Sequence, residues 1–273
     1  MPHKIYGQYI SYMFLMPTVQ VWNKLYTEGK LKPPQTYFWE TKPPEELYDL
    51  ETDPDETKNL VDSPQHQQIL ARLRQAERDW VMRIRDLGFL PENEIHSRSA
   101  GSTPSDTGHN DQLYPMQKIM DAAELASSLK PGVTPQLVKL MSDTDSAVRY
   151  WGAMGLLMRG KKAVAQARQP LLKALSDEAP SVRIAAAEAL GRYSSSADAR
   201  KALNVLMQYA NPEKNGVYLA MMSLNAIDYM DARARPAMKT LAGLPTSDPK
   251  ADRRLRSYCG NLIKKILADL EKK

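Results

Sequence analysis

An internal repeat of about 34 residues leaves this 273-residue chain few possible folds. Asp143 and Arg149 in one copy return in the next copy as Asp177 and Arg183, and an apolar helical segment follows each copy. A weaker copy follows, and a still weaker one ends the chain. A helix pair of this size cannot bury its apolar face alone, so the units must stack on one another. The period of roughly 34–37 residues, with two helices per unit, predicts an all-α helical solenoid over residues 116–273.

Residues 180–191, PSVRIAAAEALG, resemble the short, alanine-rich kind of HEAT repeat. In such repeats the Asp of the turn and the Arg of the second helix commonly pair between units, and four residues match those positions: Asp143, Asp177, Arg149 and Arg183. A carboxylate near a helix N-terminus and a guanidinium can satisfy each other there. The resemblance implies a structural role for these charges and an inner surface that binds a protein partner.

The start of the chain has a different character, since ten of its twenty aromatic residues lie in the first fifty positions. Two proline pairs bracket residues 35–42, whose consecutive Tyr, Phe and Trp favour a short strand. Residues 46–50 alternate polar and apolar side chains, as a half-buried strand does. These strands predict a small antiparallel sheet, and hence an α+β N-terminal domain over residues 1–95.

A long amphipathic helix is expected to pack on that sheet. Ser63 can cap the helix, Pro64 suits its first position, and Gly88 can end it in the left-handed conformation that glycine adopts cheaply. Its apolar residues recur at spacings of three and four, which places them on one face: Ile69, Leu73, Ala76, Trp80, Ile84 and Leu87.

Residues 96–115, between the two domains, are rich in Ser, Thr and Gly and are predicted to form a polar linker. Charge follows the same division. Residues 1–100 carry 12 Lys and Arg against 15 Asp and Glu, whereas residues 101–273 carry 25 against 17. The second part is therefore the one suited to an anionic partner.

Residues 46–60, ELYDLETDPDETKNL, resemble the C-terminal signature of the type I sulfatases. In that family a Glu-Leu-Tyr-Asp-Leu strand precedes an Asp-Pro-x-Glu turn, Asn-Leu and an amphipathic helix. Residues 1–9 and 22–26 are similar to the heparan N-sulfatase (sulfamidase) branch. The resemblance covers residues 1–95. It implies the last subdomain of a bacterial hydrolase of sulfate esters or sulfamates, located in the periplasm or outside the cell.

The sulfatase nucleophile is absent from this sequence. The family makes formylglycine from Cys or Ser in a Cys/Ser-x-Pro-x-Arg motif and binds calcium through an Asp-Asp pair, and neither stands here. The resemblance therefore implies that calcium and formylglycine belong to a missing catalytic domain, which would be the first partner of this chain. We expect no catalytic residue, metal ligand or cofactor in the chain, no activity from it alone, and an internal position for Met1 in a longer parent.

The residues themselves give the same expectation. General acid–base or nucleophilic catalysis needs a base within reach of a nucleophile, and the four histidines are scattered. The single cysteine, Cys259, is typical of a small buried apolar side chain. The acids that follow Asp49 suggest a calcium loop, but Pro54 stands where the sharp turn needs Gly and Leu60 where the bidentate Glu belongs. A turn leading into a helix is the simpler interpretation.

Three residues are candidates for contact with a sulfated substrate in the complete enzyme: His3, His96 and Arg98. An Arg can hold a sulfate with two hydrogen bonds, and a His can change charge near neutral pH. The alternative is that they are ordinary solvated loop residues.

The basic C-terminal residues are candidates for polyanion binding. Residues 233–273 carry 11 Lys and Arg against four Asp and Glu, and the basic residues are densest at Arg253, Arg254, Arg256, Lys264 and Lys265. Such a face attracts sulfate or phosphate through a salt-dependent term, although a solvated helix face is the simpler explanation. The alternative function is a stand-alone HEAT-repeat scaffold for a protein partner or a sulfated polysaccharide. No motif predicts specific nucleic-acid recognition, a membrane span or a signal peptide.

Overall fold

A computed structural model describes residues 1–10 and 12–272. The chain divides into two compact units, Met1–Asp86 and Leu87–Lys273. The sequence predicted a first domain that continues to residue 95, whereas this boundary follows Asp86.

The first unit is built around aromatic side chains. Its described residues, 1–10 and 12–86, include helix α1 (Pro17–Thr27), helix α2 (Gln67–Ile84) and 3-10 turns at Met13–Leu15, Tyr37–Trp39 and Pro64–His66. Trp39 is buried, and the ring centroids of Phe38 and Trp22 lie 5.0 Å and 5.4 Å from its own. Trp39 and the rings that surround it therefore form a small aromatic core, while Tyr9, Tyr12 and Tyr37 stay exposed.

The predicted α+β architecture of the N-terminal part is wrong. Residues 35–42 contain a 3-10 turn where a strand was expected, and residues 46–50 form no strand. Apart from an isolated antiparallel bridge between Ile5 and Thr41, the residues that the structure describes form no β-structure. Both units are helical, so the small antiparallel sheet and its packing helix do not exist here.

Turn chemistry explains the missing strand at residues 46–50. The backbone N–H of Leu47 donates to Oδ1 of Asn59 (3.0 Å), and its C=O accepts from the N–H of Leu60 (2.7 Å). The carboxylate of Asp53 accepts from the N–H groups of Thr57 (3.1 Å) and Lys58 (2.8 Å). Asx-type hydrogen bonds of this kind compete with ladder pairing, because they satisfy the backbone without a neighbouring strand.

The long helix predicted after Ser63 exists as α2, but its first and last residues and the exposure of its apolar face differ from the prediction. The hydroxyl of Ser63 contacts Nδ1 of His66 (2.8 Å) instead of capping a backbone N–H, and Arg85, with φ 58°, ends the helix in place of Gly88. The predicted apolar stripe is exposed, with accessible fractions of 40% at Ile69, 44% at Leu73, 54% at Trp80 and 44% at Ile84. The expectation that this stripe packs on a sheet is therefore wrong.

The second unit is all-helical, as the internal repeat predicts. It has 3-10 turns at Leu87–Phe89 and Asp231–Ala237. Its helices, among the described residues, are α3 (Glu92–Arg98), α4 (Pro104–Gly108), α5 (Met116–Ser127), α6 (Thr134–Leu140), α7 (Ser146–Met158), α8 (Gly160–Gln166), α9 (Arg168–Ala174), α10 (Pro180–Tyr193), α11 (Ser196–Tyr209), α12 (Pro212–Tyr229), α13 (Met238–Ala242) and α14 (Tyr258–Glu271).

The core of the second unit lies where consecutive repeats stack. Helix α7 packs against α5, α6 and α10, and α10 packs in turn against α11 and α12. Leu156 and Leu190, on α7 and α10, are completely buried. Gly155 lets α7 approach its neighbours closely, because a Cβ there would lie 2.5 Å from Cδ2 of Leu137. Each repeat thus covers the apolar face of the next.

The predicted linker at residues 96–115 carries regular structure. It includes the end of α3 and all of α4, and it lies inside the second compact unit. Thr103 and Asp106 form a capping box at the start of α4: Oγ1 of Thr103 accepts from the N–H of Asp106 (3.1 Å), and Oδ2 of Asp106 accepts from the N–H of Thr103 (3.2 Å). The polar composition that suggested a linker is partly the chemistry of this cap.

Across the described ranges 1–10 and 12–272, helices are too short or too polar to span a membrane.

Candidate functional site

Charged residues at the repeat turns hold neighbouring repeats together. Nε and Nη2 of Arg149 each donate to the carboxylate of Asp177 at 2.8 Å, and Nη1 donates to the carbonyl of Asp143 (2.9 Å). The hydrogen bonds that Arg149 donates to Asp177 raise the pKa of its guanidinium above the ordinary value. The other two candidates make different contacts. Arg183 donates to the backbone carbonyl of Asp177, and the carboxylate of Asp143 accepts from Lys118 (2.6 Å). The predicted pairing between neighbouring repeats therefore forms between Arg149 and Asp177.

Glu94 on α3 lies against the N-termini of α7 and α10. Its side chain is buried, and Oε2 accepts hydrogen bonds from Nη2 of Arg98 and Oγ of Ser146, each at 2.7 Å. Oε1 accepts from the hydroxyl of Ser181. Ser146 begins α7 and Ser181 lies in the first turn of α10, where a negative charge is favoured by the helix dipole. One carboxylate thus links α3 to two successive repeats.

Arg98 completes this cluster. Its guanidinium donates to both carboxylate oxygens of Asp145, at 2.9 Å and 3.0 Å, and to the carbonyl of Leu113 (2.8 Å). Asp145 in turn caps α7 by accepting from the N–H of Ala147 (2.8 Å). Burial alone would raise the pKa of Asp145, but the hydrogen bonds from Arg98 outweigh it, so the pKa lies below its ordinary value. We call Glu94, Arg98, Asp145, Ser146 and Ser181 the α3 cluster.

The three residues predicted to contact a sulfated substrate occupy different settings. His3 is half-buried in the first unit, whereas His96 and Arg98 lie in the second. All three guanidinium nitrogens of Arg98 donate to acceptors within the second unit. Sulfate contact by Arg98 stays a prediction, and it would require Arg98 to leave Glu94 or Asp145.

His96 lies on the exposed side of α3, where its Nε2 is 3.4 Å from Oε1 of Glu92. Its exposed ring stacks on that of Tyr218 in α12, with centroids 4.4 Å apart and planes inclined by 17°. Arg254, whose side chain is 86% exposed, lies with its Nε 3.1 Å from Oδ1 of Asp252, and Tyr258 at the start of α14 is 46% exposed. The sequence placed His96 and Arg254 in separate candidate sites, and neither tyrosine carried a signal that distinguished it from core residues.

The remaining basic candidates divide into structural and exposed residues. The guanidinium of Arg256 donates to the carbonyls of Ala251 (3.1 Å) and Pro249 (3.0 Å), and so braces its own loop. Lys265 is part-buried and pairs with Asp228 (2.8 Å) and Asp269 (3.0 Å). Arg253 and Lys264 are exposed. Polyanion binding by the full group of five basic residues stays a prediction.

The first unit has an open cleft of about 670 Å³ with an acidic and aromatic lining that includes Glu40, Glu46, Tyr48 and Asp55. The hydroxyls of Tyr6 and Tyr48 both donate to Oε1 of Glu46. Burial and this hydrogen bond raise the pKa of Tyr48 to about 12. The charged side chains of this lining are carboxylates, which disfavour a sulfate group there.

Two further features bear on catalysis. Cys259 is buried in α14, and burial raises the pKa of its thiol to about 11, which keeps the thiol protonated at neutral pH. In the part of the chain that the structure describes, no three His, Cys, Asp or Glu side chains are grouped so that they could hold a metal ion.

Comparison with known proteins supports two similarities. Residues 134–225 and 168–256 match the family model for HEAT repeats. Over 95 residues, 34% of its length, the chain is 40% identical to an ulvan-active sulfatase from Formosa agariphila, and the matched region spans 16% of that protein. No solved structure matches the chain significantly. The chain therefore carries HEAT repeats between residues 134 and 256. A further 95-residue match shows that part of the chain is similar to a small part of a sulfatase.

Proposed function

We propose that this chain is the C-terminal part of a sulfatase-family hydrolase to which a HEAT-repeat binding module is appended. The observation that carries the proposal is the 40% identity to an ulvan-active sulfatase over 95 residues. The sulfatase-like run at residues 46–60 leads us to assign that match to residues 1–95. The match spans 16% of the relative, so the catalytic groups of the parent would lie in the much larger part that this chain does not match.

The apolar stripe of α2 supports this proposal. Ile69, Leu73, Trp80 and Ile84 are each at least 40% exposed, although their spacing is typical of a buried helix face. A row of large apolar side chains in water is unfavourable, by about 25 cal/mol for each Å² that a partner could cover. We propose that the missing catalytic domain covers this stripe, and that calcium and formylglycine belong to that domain.

The substrate class of the parent is a finer proposal. The relative is described as ulvan-active, which favours a sulfated polysaccharide as substrate. Similarity of residues 1–9 and 22–26 to the sulfamidase branch favours a sulfamate instead. In either case the parent would act in the periplasm or outside the cell.

The 273-residue chain alone is expected to release no sulfate from ulvan or from N-sulfoglucosamine, because it lacks a Cys/Ser-x-Pro-x-Arg motif. The same chain extended in frame by its upstream coding sequence is expected to release sulfate from one of the two. Free sulfate can be measured by ion chromatography, with the extended protein carrying Ala in place of the motif Cys or Ser as control. Sulfate release by the short chain, or by the Ala control, would contradict the proposal.

A further inference from the structure

The geometry points to a binding site for a sulfated polysaccharide on the exposed side of the first helices of the repeats. Six exposed residues on α8, α9 and α11 define the site, which we call the α8–α11 face: Lys162, Gln169, Lys173, Arg200, Lys201 and Asn204. Binding of a polyanion to this face is independent of the function proposed above, whereas the choice of a sulfated sugar rests on that function.

Charge is divided unequally between the two helices of each repeat. The first helices are α6, α8, α9, α11 and the last pair, which is the 3-10 turn Asp231–Ala237 with α13. They carry ten Lys and Arg against two Asp and Glu, whereas the second helices, α7, α10, α12 and α14, carry six against five. All ten basic residues of the first helices are exposed. The first helices therefore attract an anionic ligand.

The four basic side chains of the α8–α11 face are available to a ligand. None of them makes a hydrogen bond or an ion pair with any residue that the structure describes. Helix stability does not account for Lys162, because it stands in the first turn of α8, where the helix dipole disfavours a cation. An incoming anion thus has no carboxylate to displace from these groups.

The residues of α8 and α9 form one row. The N–H of Ala167 donates to the C=O of Ala163 (2.9 Å), so helical hydrogen bonding continues from α8 into α9. Lys162, Gln169 and Lys173 follow one another at spacings of seven and four residues, which places them on the same side of this helical stretch. All three are exposed. The row presents a cation at either end and an amide between them.

A bidentate ion pair fixes α11 beside α9. Nε and Nη2 of Arg168 donate to the carboxylate of Asp198 at 2.7 Å and 2.9 Å, and the side chain of Asp198 is 1% exposed. Because α10 packs against both helices and joins them through short connections, α9 and α11 run in the same direction. Lys173 lies five residues after Arg168, and Arg200 and Lys201 lie two and three residues after Asp198. At a rise of about 1.5 Å per residue, their backbones are within about 8 Å of the ion pair along the helix axes.

The mixture of side chains on the face suits a sulfated sugar. Lys and Arg bind sulfate groups, and the exposed amides of Gln169 and Asn204, which make no hydrogen bond within the described residues, can bind sugar hydroxyls. Tyr209 is the one aromatic residue of α6, α8, α9 and α11, and it is part-buried. The stacking on exposed rings that single-stranded nucleic acids use is therefore not offered here. Similarity to an ulvan-active sulfatase favours a sulfated polysaccharide among the remaining polyanions.

Isothermal titration calorimetry of the full chain with dextran sulfate tests the proposal, with neutral dextran and a DNA duplex as comparison ligands. Two double variants, Lys162→Gln with Lys173→Gln and Arg200→Gln with Lys201→Gln, are each expected to raise Kd for dextran sulfate about tenfold. Each should also reduce the slope of log Kd against log salt concentration by about one to two, because two contacts with the anionic chain are lost.

Two further variants are the controls. Arg72→Gln with Arg83→Gln removes the same charge from exposed positions on α2 in the first unit, and Kd is expected to stay within about twofold. Lys162→Arg with Lys173→Arg keeps the charge and is expected to keep the affinity. Thermal melting curves that match those of the native chain would show that each variant is folded.

Tighter binding of dextran sulfate than of DNA, with the expected losses in both double variants of the face, would support the proposal. A DNA duplex bound as tightly as dextran sulfate would overturn the choice of a sulfated polysaccharide. An equal loss in the α2 control, no binding of dextran sulfate, or equal binding of neutral dextran would overturn the face itself. Calorimetry does not measure sulfate release, so failure of the proposed hydrolase and failure of this face are distinguishable.

Discussion

Replacing Arg98 with methionine is expected to lower the free energy of unfolding by about 3–5 kcal/mol. The side chain is 14% exposed and pairs with Glu94 and Asp145, whose side chains are 6% and 14% exposed. Methionine keeps the apolar stem but removes the charge, so two neighbouring carboxylates remain buried without a cation. Urea unfolding followed by circular dichroism at pH 7 measures the loss, and Arg200→Met on the surface of α11 is the control.

The effect of pH on this variant has a defined sign. In the native protein the pKa of Asp145 is lowered, so its ionised form stabilises the fold above the unfolded value near 3.9, and this contribution is lost as pH falls through the folded pKa. Without Arg98 the buried carboxylate of Asp145 favours the protonated form, so the difference in free energy of unfolding between Arg98→Met and the native protein should narrow from pH 7 towards pH 4. A second variant, Glu94→Gln with Arg98→Met, removes one carboxylate and should recover part of the loss. If the free energies of unfolding of Arg98→Met and the native protein differ by the same amount at every pH, the role given to the α3 cluster is contradicted.

Replacing Arg149 with alanine is the second large perturbation, with an expected loss of about 3–5 kcal/mol. The side chain is 8% exposed, and it joins one repeat turn to the next through Asp177 and through the carbonyls of Asp143 and Thr144. Because solenoid repeats are stabilised mainly by their neighbours, the variant should unfold over a broader range of urea concentration than the native chain.

A double-mutant cycle isolates the contribution of this pair. Arg149→Ala and Asp177→Ala are expected to show a coupling energy of about 1–3 kcal/mol. The exposed pair of Arg254 and Asp252 is the matched control, with an expected coupling of about 0–0.5 kcal/mol. Equal coupling energies in the two cycles would show that Arg149 does not hold the repeats together.

The sequence predicts the second unit well because its signal is repeated. A repeat length that stays within about 34–37 residues and an apolar face in each copy determine the fold even where single copies are weak. The first unit has no such redundancy. Alternation at residues 46–50 is compatible with a strand, but the N–H of Leu47 donates to the side chain of Asn59 and its C=O accepts from the N–H of Leu60, so neither is left for a strand partner. Local side-chain hydrogen bonds therefore decide against the sheet.

The α2 stripe shows a different limit of sequence-based prediction. The spacing from Ile69 to Ile84 correctly predicts a helix with one apolar face, but it does not tell what covers that face.

The distant contacts of the candidate site could not be predicted from the sequence either. Glu94 and Arg98, four residues apart on a helix, are recognisable as a local ion pair, whereas the contact of Arg98 with Asp145 and that of Glu94 with Ser181 span 47 and 87 residues of sequence. Such distant contacts leave no trace in a single sequence.

The coding sequence immediately upstream of the Met1 codon tests the relation to a sulfatase most directly. We expect an open reading frame that continues without interruption into this chain and encodes a Cys/Ser-x-Pro-x-Arg motif. A stop codon followed by a ribosome-binding site directly before Met1 would contradict this relation and would identify the chain as a separate HEAT-repeat protein.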